Sequence, residues 1–245
     1  MFSDRVYLRE EDHRYFHKDN GNEYSSMSSV KKVVKNDFKD SFAYKKASDY
    51  TKGLWAQKGK DAAELGTRNH LALETYGNTF MLPPELEDLY PLVKSVFSMY
   101  EEYDRILSEQ VLYSDKYGIA GTADKICVKK SRKDVKYIDI FDYKNFEKGM
   151  EYESKYNQWM KEPLAHLQDC KFNEIILQLS GYALMIQEQF PGIAVRSLNI
   201  IVIPPMDPLN WQRIRIPFMK LEVELLFKHF KSLPKFNVQE IKIGI

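Results

Sequence analysis

Hydrophobic positions keep a helical period over one long stretch of the chain. Leu86, Leu89, Tyr90, Val93, Val96, Phe97, Tyr100, Tyr103 and Leu107 recur at spacings of three and four, which predicts a long amphipathic helix bent near Pro91. The period then shortens, and residues 110–113, 118–129 and 135–144 read as strands. Residues 172–189 return to helical spacing and end at Pro191 and Gly192. Residues 197–203 are almost continuous Leu, Ile and Val, the pattern of a strand covered on both faces. A further strand over 211–218 and a helix from about 220 to 233 complete the chain. The order helix, three strands, helix, strand predicts an α/β fold. No internal repeat or Pro/Gly linker breaks it, so a single domain over 1–245 is expected. It divides into a basic amino-terminal helical extension over 1–55, a core over 56–205 and a closing strand and helix over 206–245.

Composition narrows the function. Of 245 residues 44% are hydrophobic, enough to bury a core without metal or crosslinks, and the net charge of +1 excludes a polycation that binds nucleic acid through bulk charge. Local charge is uneven. Nine lysines against three aspartates between 31 and 60 give a basic segment, whereas 83–109 carries seven acids against Lys94 and Arg105. The basic segment is either a polyanion-binding face or a solvated helix surface. Cys127 and Cys170 are too few and too far apart for an iron–sulfur or zinc site, and they fit a reducing cytoplasm. The amino end lacks a signal-peptide pattern, and the longest apolar run falls far short of a bilayer span, so no membrane partner is expected. Gly53 to Asp61 resembles a phosphate loop but has five residues between its glycines and Asp61 where Ser or Thr belongs, so no ATP is expected.

Chemistry converges on one hairpin. Ser131-Arg132-Lys133-Asp134 suits a turn between the second and third strands. A turn at about residue 133 lies midway between Asp124 and Asp142, which predicts that they face each other on one side of the sheet, with Cβ atoms about 4.5–5.5 Å apart. Like charges so placed need a proton, a cation or solvent to offset them. Lys144 shares the face of Asp142, whereas Asp139 falls on the opposite one. Two carboxylates and a lysine suit a hard divalent cation beside a positive group for a phosphate.

Gly121-Thr122-Ala123-Asp124, a hairpin, and Asp142-Tyr143-Lys144 resemble the signature of the PD-(D/E)XK nuclease superfamily. Gly66-Thr67-Arg68-Asn69-His70 resembles the Gly-Thr-x-x-His block of its RecB-like branch, including phage-type stand-alone exonucleases. Gln178-Leu179-Ser180-Gly181-Tyr182 resembles that branch's Gln-x-x-x-Tyr motif. The proline that leads the signature is replaced by Ala123. The resemblance spans about residues 55–205 and implies a restriction-endonuclease-like core and metal-dependent DNA hydrolysis. It implies catalytic Asp124, Asp142, Lys144 and His70, with Mg²⁺, or Mn²⁺ as substitute, held by His70, Asp124, Asp142 and the backbone carbonyl of Tyr143. Gln178 and Tyr182 would position DNA, and Lys45, Lys46, Lys52, Lys58 and Arg68 would contact it. Tyr182, Trp55 or Trp159 would stack on an unpaired end, and 147–171 would form a lid or guiding loop.

Each residue also has an ordinary alternative: a satisfied helix histidine, exposed hairpin acids, a strand-end lysine, a local Gln–Tyr contact. Glu109, expected to open the first strand, is either a second-metal ligand or a helix cap. The expected role is an exonuclease in phage or bacterial recombination or repair, in the cytoplasm of a bacterium or infected host. A single-strand annealing or binding protein and a homo-oligomer are implied as partners. A single-strand or structure-specific endonuclease and an inactive nucleic-acid-binding module of the same fold are the alternatives.

Overall fold

The amino end joins the sheet as strands. In the computed structural model, which describes residues 5–130, 136–146, 149–154, 156–205 and 207–234, β1 (Val6–Arg9), β2 (Arg14–His17) and β3 (Glu23–Ser26) form an antiparallel meander. The expected helical extension is therefore only partly helical. Strands of four residues are too short for alternation to register, yet Val6, Tyr15 and Tyr24 make a small core with Tyr113 and Ala120. Helices follow, each opened by a serine whose side chain accepts a backbone N–H: α1 (Met27–Lys32) by Ser26, α2 (Phe42–Lys46) by Ser41, and α3 (Asp49–Thr79) by Ser48.

The long helix predicted from Leu86 is shorter than its periodicity. A 3-10 turn over Pro84–Leu89 leads into α4 (Tyr90–Ser98), and Leu107 already belongs to a strand. Tyr100 and Tyr103 stay in step because the chain leaves α4 through three-residue turns, with Tyr100 N–H donating to Phe97 O and Tyr103 N–H to Tyr100 O. Such turns keep a spacing of three without an α-helix.

The remaining elements are β4 (Arg105–Ser114), β5 (Ile119–Lys130), β6 (Lys136–Asn145), α5 (Lys171–Gln189), β7 (Ala194–Ile203), β8 (Gln212–Ile216) and α6 (Lys220–Ser232). Eight strands among the described residues make one mixed sheet, ordered β1-β2-β3-β5-β6-β7-β8 with β4 paired to β5. Strands β3 and β5 run parallel, as do β6 and β7. Helices cover both faces. On one, Ile126, Ile138, Ile140, Leu198 and Ile200 pack with Ile176, Leu179 and Ala183 of α5 and Phe227 of α6; on the other, Phe141, Ile201 and Ile203 pack with Leu73 of α3 and Leu92 and Val96 of α4. Fully burying each such side chain contributes about 1.5–3 kcal/mol.

Between β5 and β6 every pair from Lys125↔Phe141 to Lys130↔Lys136 is centred on residue 133, although the turn at 131–134 lies outside the described residues. One edge of β5 serves two strands. Ile119 and Ala120 pair with β3, pairing with β6 begins only at Lys125, and the interval between them is a fork in the sheet. Gly121 lies in that fork because a Cβ there would stand 2.6 Å from a ring carbon of Tyr182. Cys127 and Cys170 are free and buried. Among the described residues no helix is long and apolar enough to cross a membrane.

Candidate active site

At the fork, β4 and β5 change which face their side chains point to. Ala123 and Ile126 both pack on the α5 side, as do Leu107 and Leu112, although strict alternation would separate each pair. The offset falls at Glu109 and Asp124, which lie opposite each other between the pairs Ser108↔Lys125 and Gln110↔Ala123. Glu109 has φ +46° and sits inside β4 rather than opening it, because the strand starts at Arg105. A positive φ at a non-glycine residue is strained and concentrates at functional sites.

The offset corrects the expected geometry of the two aspartates. Asp142 continues the row of Ile138 and Ile140 toward α5, where Gln178 Nε2 donates to its Oδ1 at 3.3 Å. Asp124, released from alternation, accepts the Tyr143 backbone N–H at 2.8 Å through Oδ2, and its Oδ2 lies 3.1 Å from His70 Nε2 on α3. The two carboxylates thus reach the fork from different sides of the sheet. Lys144 Nζ lies 2.5 Å from Asp142 Oδ2 and donates to the Tyr143 carbonyl at 3.2 Å.

Helix α3 supplies the rest. His70 Nε2 is also 3.8 Å from Glu109 Oε1, and ligand atoms of His70, Glu74 and Glu109 all lie within 4.8 Å of one another. No motif marks Glu74; its place one turn beyond His70 is the signal the sequence carries for it. Asn69, beside His70, donates to Asn145 Oδ1 at 2.6 Å and ties α3 to the end of β6. A cleft of about 440 Å³ opens here, lined by Gly66, His70, Glu74, Tyr143, Lys144 and Asn145 among others.

Electrostatics at the fork are strongly perturbed. Burial pushes the Asp142 carboxyl up, Lys144 opposes this and the Asp124 charge adds to it. Burial also acts against an ionised Asp124, but the hydrogen bond and charge of His70, with Lys144 and the Tyr143 N–H, hold it below the usual range. Against its own burial, His70 is raised to about 9 by the hydrogen bond and charge of Asp124 and by the charge of Glu109. Glu109 is pushed up to about 7 by burial and the Asp124 charge. Lys144 is raised because Asp142 and Asp124 outweigh its burial. Acids and bases are packed together here, with Asp124, Asp142, Glu74 and Glu109 set against His70, Lys144 and the buried ammoniums of Lys31 and Lys125, so that each charge is held by its neighbours.

Side chains of α1 and α5 reach the site behind Asp142. Lys31 donates to Gln178 Oε1, and Gln178 Nε2 donates to the Tyr182 hydroxyl at 3.2 Å as well as to Asp142. Burial lowers the Lys31 ammonium to about 8. Within the sequence, Lys31 was only one of nine lysines in the basic segment. Tyr182 is 4% exposed, so its ring has no free face for stacking, and it holds Gln178 instead. Arg68 is engaged elsewhere, forked onto Asp88 at 2.5 and 3.0 Å. Asp139, on the opposite face, is clasped by Arg196, Tyr103 and Ser197. Lys45, Lys46, Lys52 and Lys58 lie on α2 and the first turns of α3. Of the expected guiding loop, 147, 148 and 155 lie outside the described residues; Trp159 is half-exposed and bridges to Gln168.

No family model matches the chain, and no curated protein matches it. Among solved structures, the chain is similar to a crystal structure described as "Putative exonuclease" from Eubacterium rectale, at 12% identity. The match covers 84% of this chain and 77% of that one, with a TM-score of 0.42.

Proposed function

We propose that this protein is a divalent-metal-dependent deoxyribonuclease with a PD-(D/E)XK-type core, and within that class an exonuclease of DNA recombination or repair. The observation that carries the reading is the meeting, at one fork in the sheet, of buried Asp124 and Asp142 with the Lys144 ammonium 2.5 Å from Asp142. The donor set fits a cation. Asp142 Oδ2 is buried and receives no hydrogen bond of good geometry beyond the ammonium contact, and carboxylates with one imidazole suit Mg²⁺ and Mn²⁺.

His70, Asp124, Asp142 and the Tyr143 carbonyl would hold the ion, with Glu74 and Glu109 beside His70 for a second. When bound, it polarises a phosphodiester and lowers the pKa of water. Lys144, kept as an ammonium by two neighbouring carboxylates, stabilises charge that develops on the phosphate and does not serve as a base. Gln178 holds Asp142 in its rotamer, and the Tyr143 N–H does the same for Asp124. Lys45, Lys46, Lys52 and Lys58 supply phosphate contacts that weaken with salt.

The test is digestion of linear duplex, linear single-stranded and circular DNA with Mg²⁺ or Mn²⁺, beside the Asp142→Ala protein. Metal-dependent loss of linear DNA that the variant lacks is expected. Degradation of circles would replace the exonuclease with an endonuclease, and binding without cleavage under either metal would leave an inactive module.

A further inference from the structure

Among the described residues, the amino-terminal half of α3 presents an exposed surface. Residues 53–61 are all exposed, and the buried positions of the helix begin only near Asn69, Ala72 and Leu73. Apolar side chains are nevertheless concentrated there. Phe42 is 78% exposed and Tyr50 77%, with Leu54 and Trp55 also exposed. Trp55 gathers Phe38 and Tyr44 into a ring cluster at centroid distances of 5.4 and 6.2 Å. Lysines are interleaved with the rings: Lys46 Nζ stands 5.9 Å from the Phe42 centroid and Lys52 Nζ 5.4 Å from that of Tyr44. Lys45 and Lys52 each lie 3.6 Å from an exposed aspartate, the kind of pair that a phosphate displaces at little cost.

The surface is continuous with the candidate active site. A period of 3.6 puts Lys52, Gly59 and Gly66 on the side of α3 that carries His70. A Cβ at Gly59 would meet nothing within 4 Å, so packing does not demand a glycine that weakens the helix; it leaves the backbone open to close approach. Trp55 is about 22 Å from His70 along the axis at 1.5 Å per residue, the span of about six or seven nucleotides at 3.4 Å each.

Resting on the nuclease reading of that site, we infer that α2 and the first half of α3 are a platform for an unpaired nucleic-acid strand, which stacks bases on Phe42 and Trp55, sets phosphates on Lys45, Lys46 and Lys52, and follows the Gly59 side of α3 to His70. Exposed rings offer their faces only to bases that are not already stacked in a duplex, and cations between the rings match a phosphate backbone. A lipid surface fits less well, because Lys58 and Asp61 share the helix side of Tyr50 and Leu54 and break any continuous apolar face.

The full-length protein is titrated in EDTA, where the proposed chemistry is off, with fluorescein-labelled dT16, a 16-base-pair blunt duplex, and phosphatidylserine vesicles. Tighter binding of dT16 than of duplex is expected, with quenching of tryptophan fluorescence that Trp55→Phe removes. Phe42→Ala, at an exposed position that leaves the fold intact, should weaken dT16 at least fivefold. Lys45→Gln/Lys46→Gln should reduce the slope of log K against log salt by about 1.4. Equal binding of duplex, wild-type affinity in Phe42→Ala, or vesicle binding without oligonucleotide binding overturns the platform. If DNA is cleaved with metal while Phe42→Ala binds as wild type, the platform fails and the nuclease stands. If nothing is cleaved but dT16 binding depends on Phe42, the nuclease fails and the platform stands.

Discussion

Gln178 meets Asp142 through its amide nitrogen, Nε2 donating to Oδ1 at 3.3 Å. An ammonium only donates, so Lys31 fixes the other end of the amide as the acceptor and leaves the nitrogen facing the carboxylate. Gln178→Leu or Lys31→Met should therefore lower kcat about 10- to 100-fold, in the range of other losses around a metal site. Lys31→Arg, which also only donates, should recover part of it. Steady-state kinetics on linear DNA checks both, and an unchanged kcat in Lys31→Met would detach Lys31 from the site.

Lys144→Ala should reduce cleavage by about 10²–10³-fold, the usual cost of removing one donor aimed at developing charge. Circular dichroism should remain that of the wild type, because Lys144 is next to the last residue of β6 and its side chain is 30% exposed. Single-turnover rates with saturating Mn²⁺ separate this loss from weakened metal binding.

Metal should stabilise the folded chain. At a hundred times its Kd an ion bound only by the native state contributes about 2.7 kcal/mol, about 5–10 °C in Tm for a chain of this size. His70→Ala should abolish most of that shift in a thermal melt with Mn²⁺. An equal shift in the variant would move the ion elsewhere.

Acid stability should depend on Asp139. Its carboxyl is fully buried, and although burial opposes ionisation, hydrogen bonds from Arg196, Tyr103 and Ser197 and the Arg196 charge hold it below the usual carboxylate range. A depressed value in the native state contributes stability above the unfolded pKa of about 4, and that contribution is lost as pH falls through the native value. Asp139→Asn should cost about 2 kcal/mol at pH 7, less than a fully buried pair because Arg196 is 37% exposed. Its urea midpoint should fall less steeply than the wild type's as pH drops from 5 to 3.

Gly121→Ala should destabilise by about 2 kcal/mol, or about 4–8 °C, because the new Cβ would meet the Tyr182 ring at 2.6 Å. Displacing that ring also loosens Gln178, so activity should fall with stability; differential scanning calorimetry and a cleavage assay check the pair.

Local pattern determined much of this molecule. The periodic segments that became α5, α6, β5, β6 and β7, and the hairpin centred on residue 133, follow from side-chain spacing, which reports burial on one face of a regular element. The grouping of His70, Asp124, Asp142, Lys144, Gln178 and Tyr182 as one candidate site came from short motifs in order along the chain. Three features needed the tertiary structure. The β1–β3 meander is stabilised by contacts between strands too short to show a period. The face change at Glu109 and Asp124 turns on backbone angles that composition does not encode, and it sends Asp124 to His70 while Asp142 keeps the alternation that carries it to Gln178. Lys31 and Glu74 enter the site only because α1 and α3 pack beside the fork, and contact between residues distant in sequence is a property of packing that no local window contains.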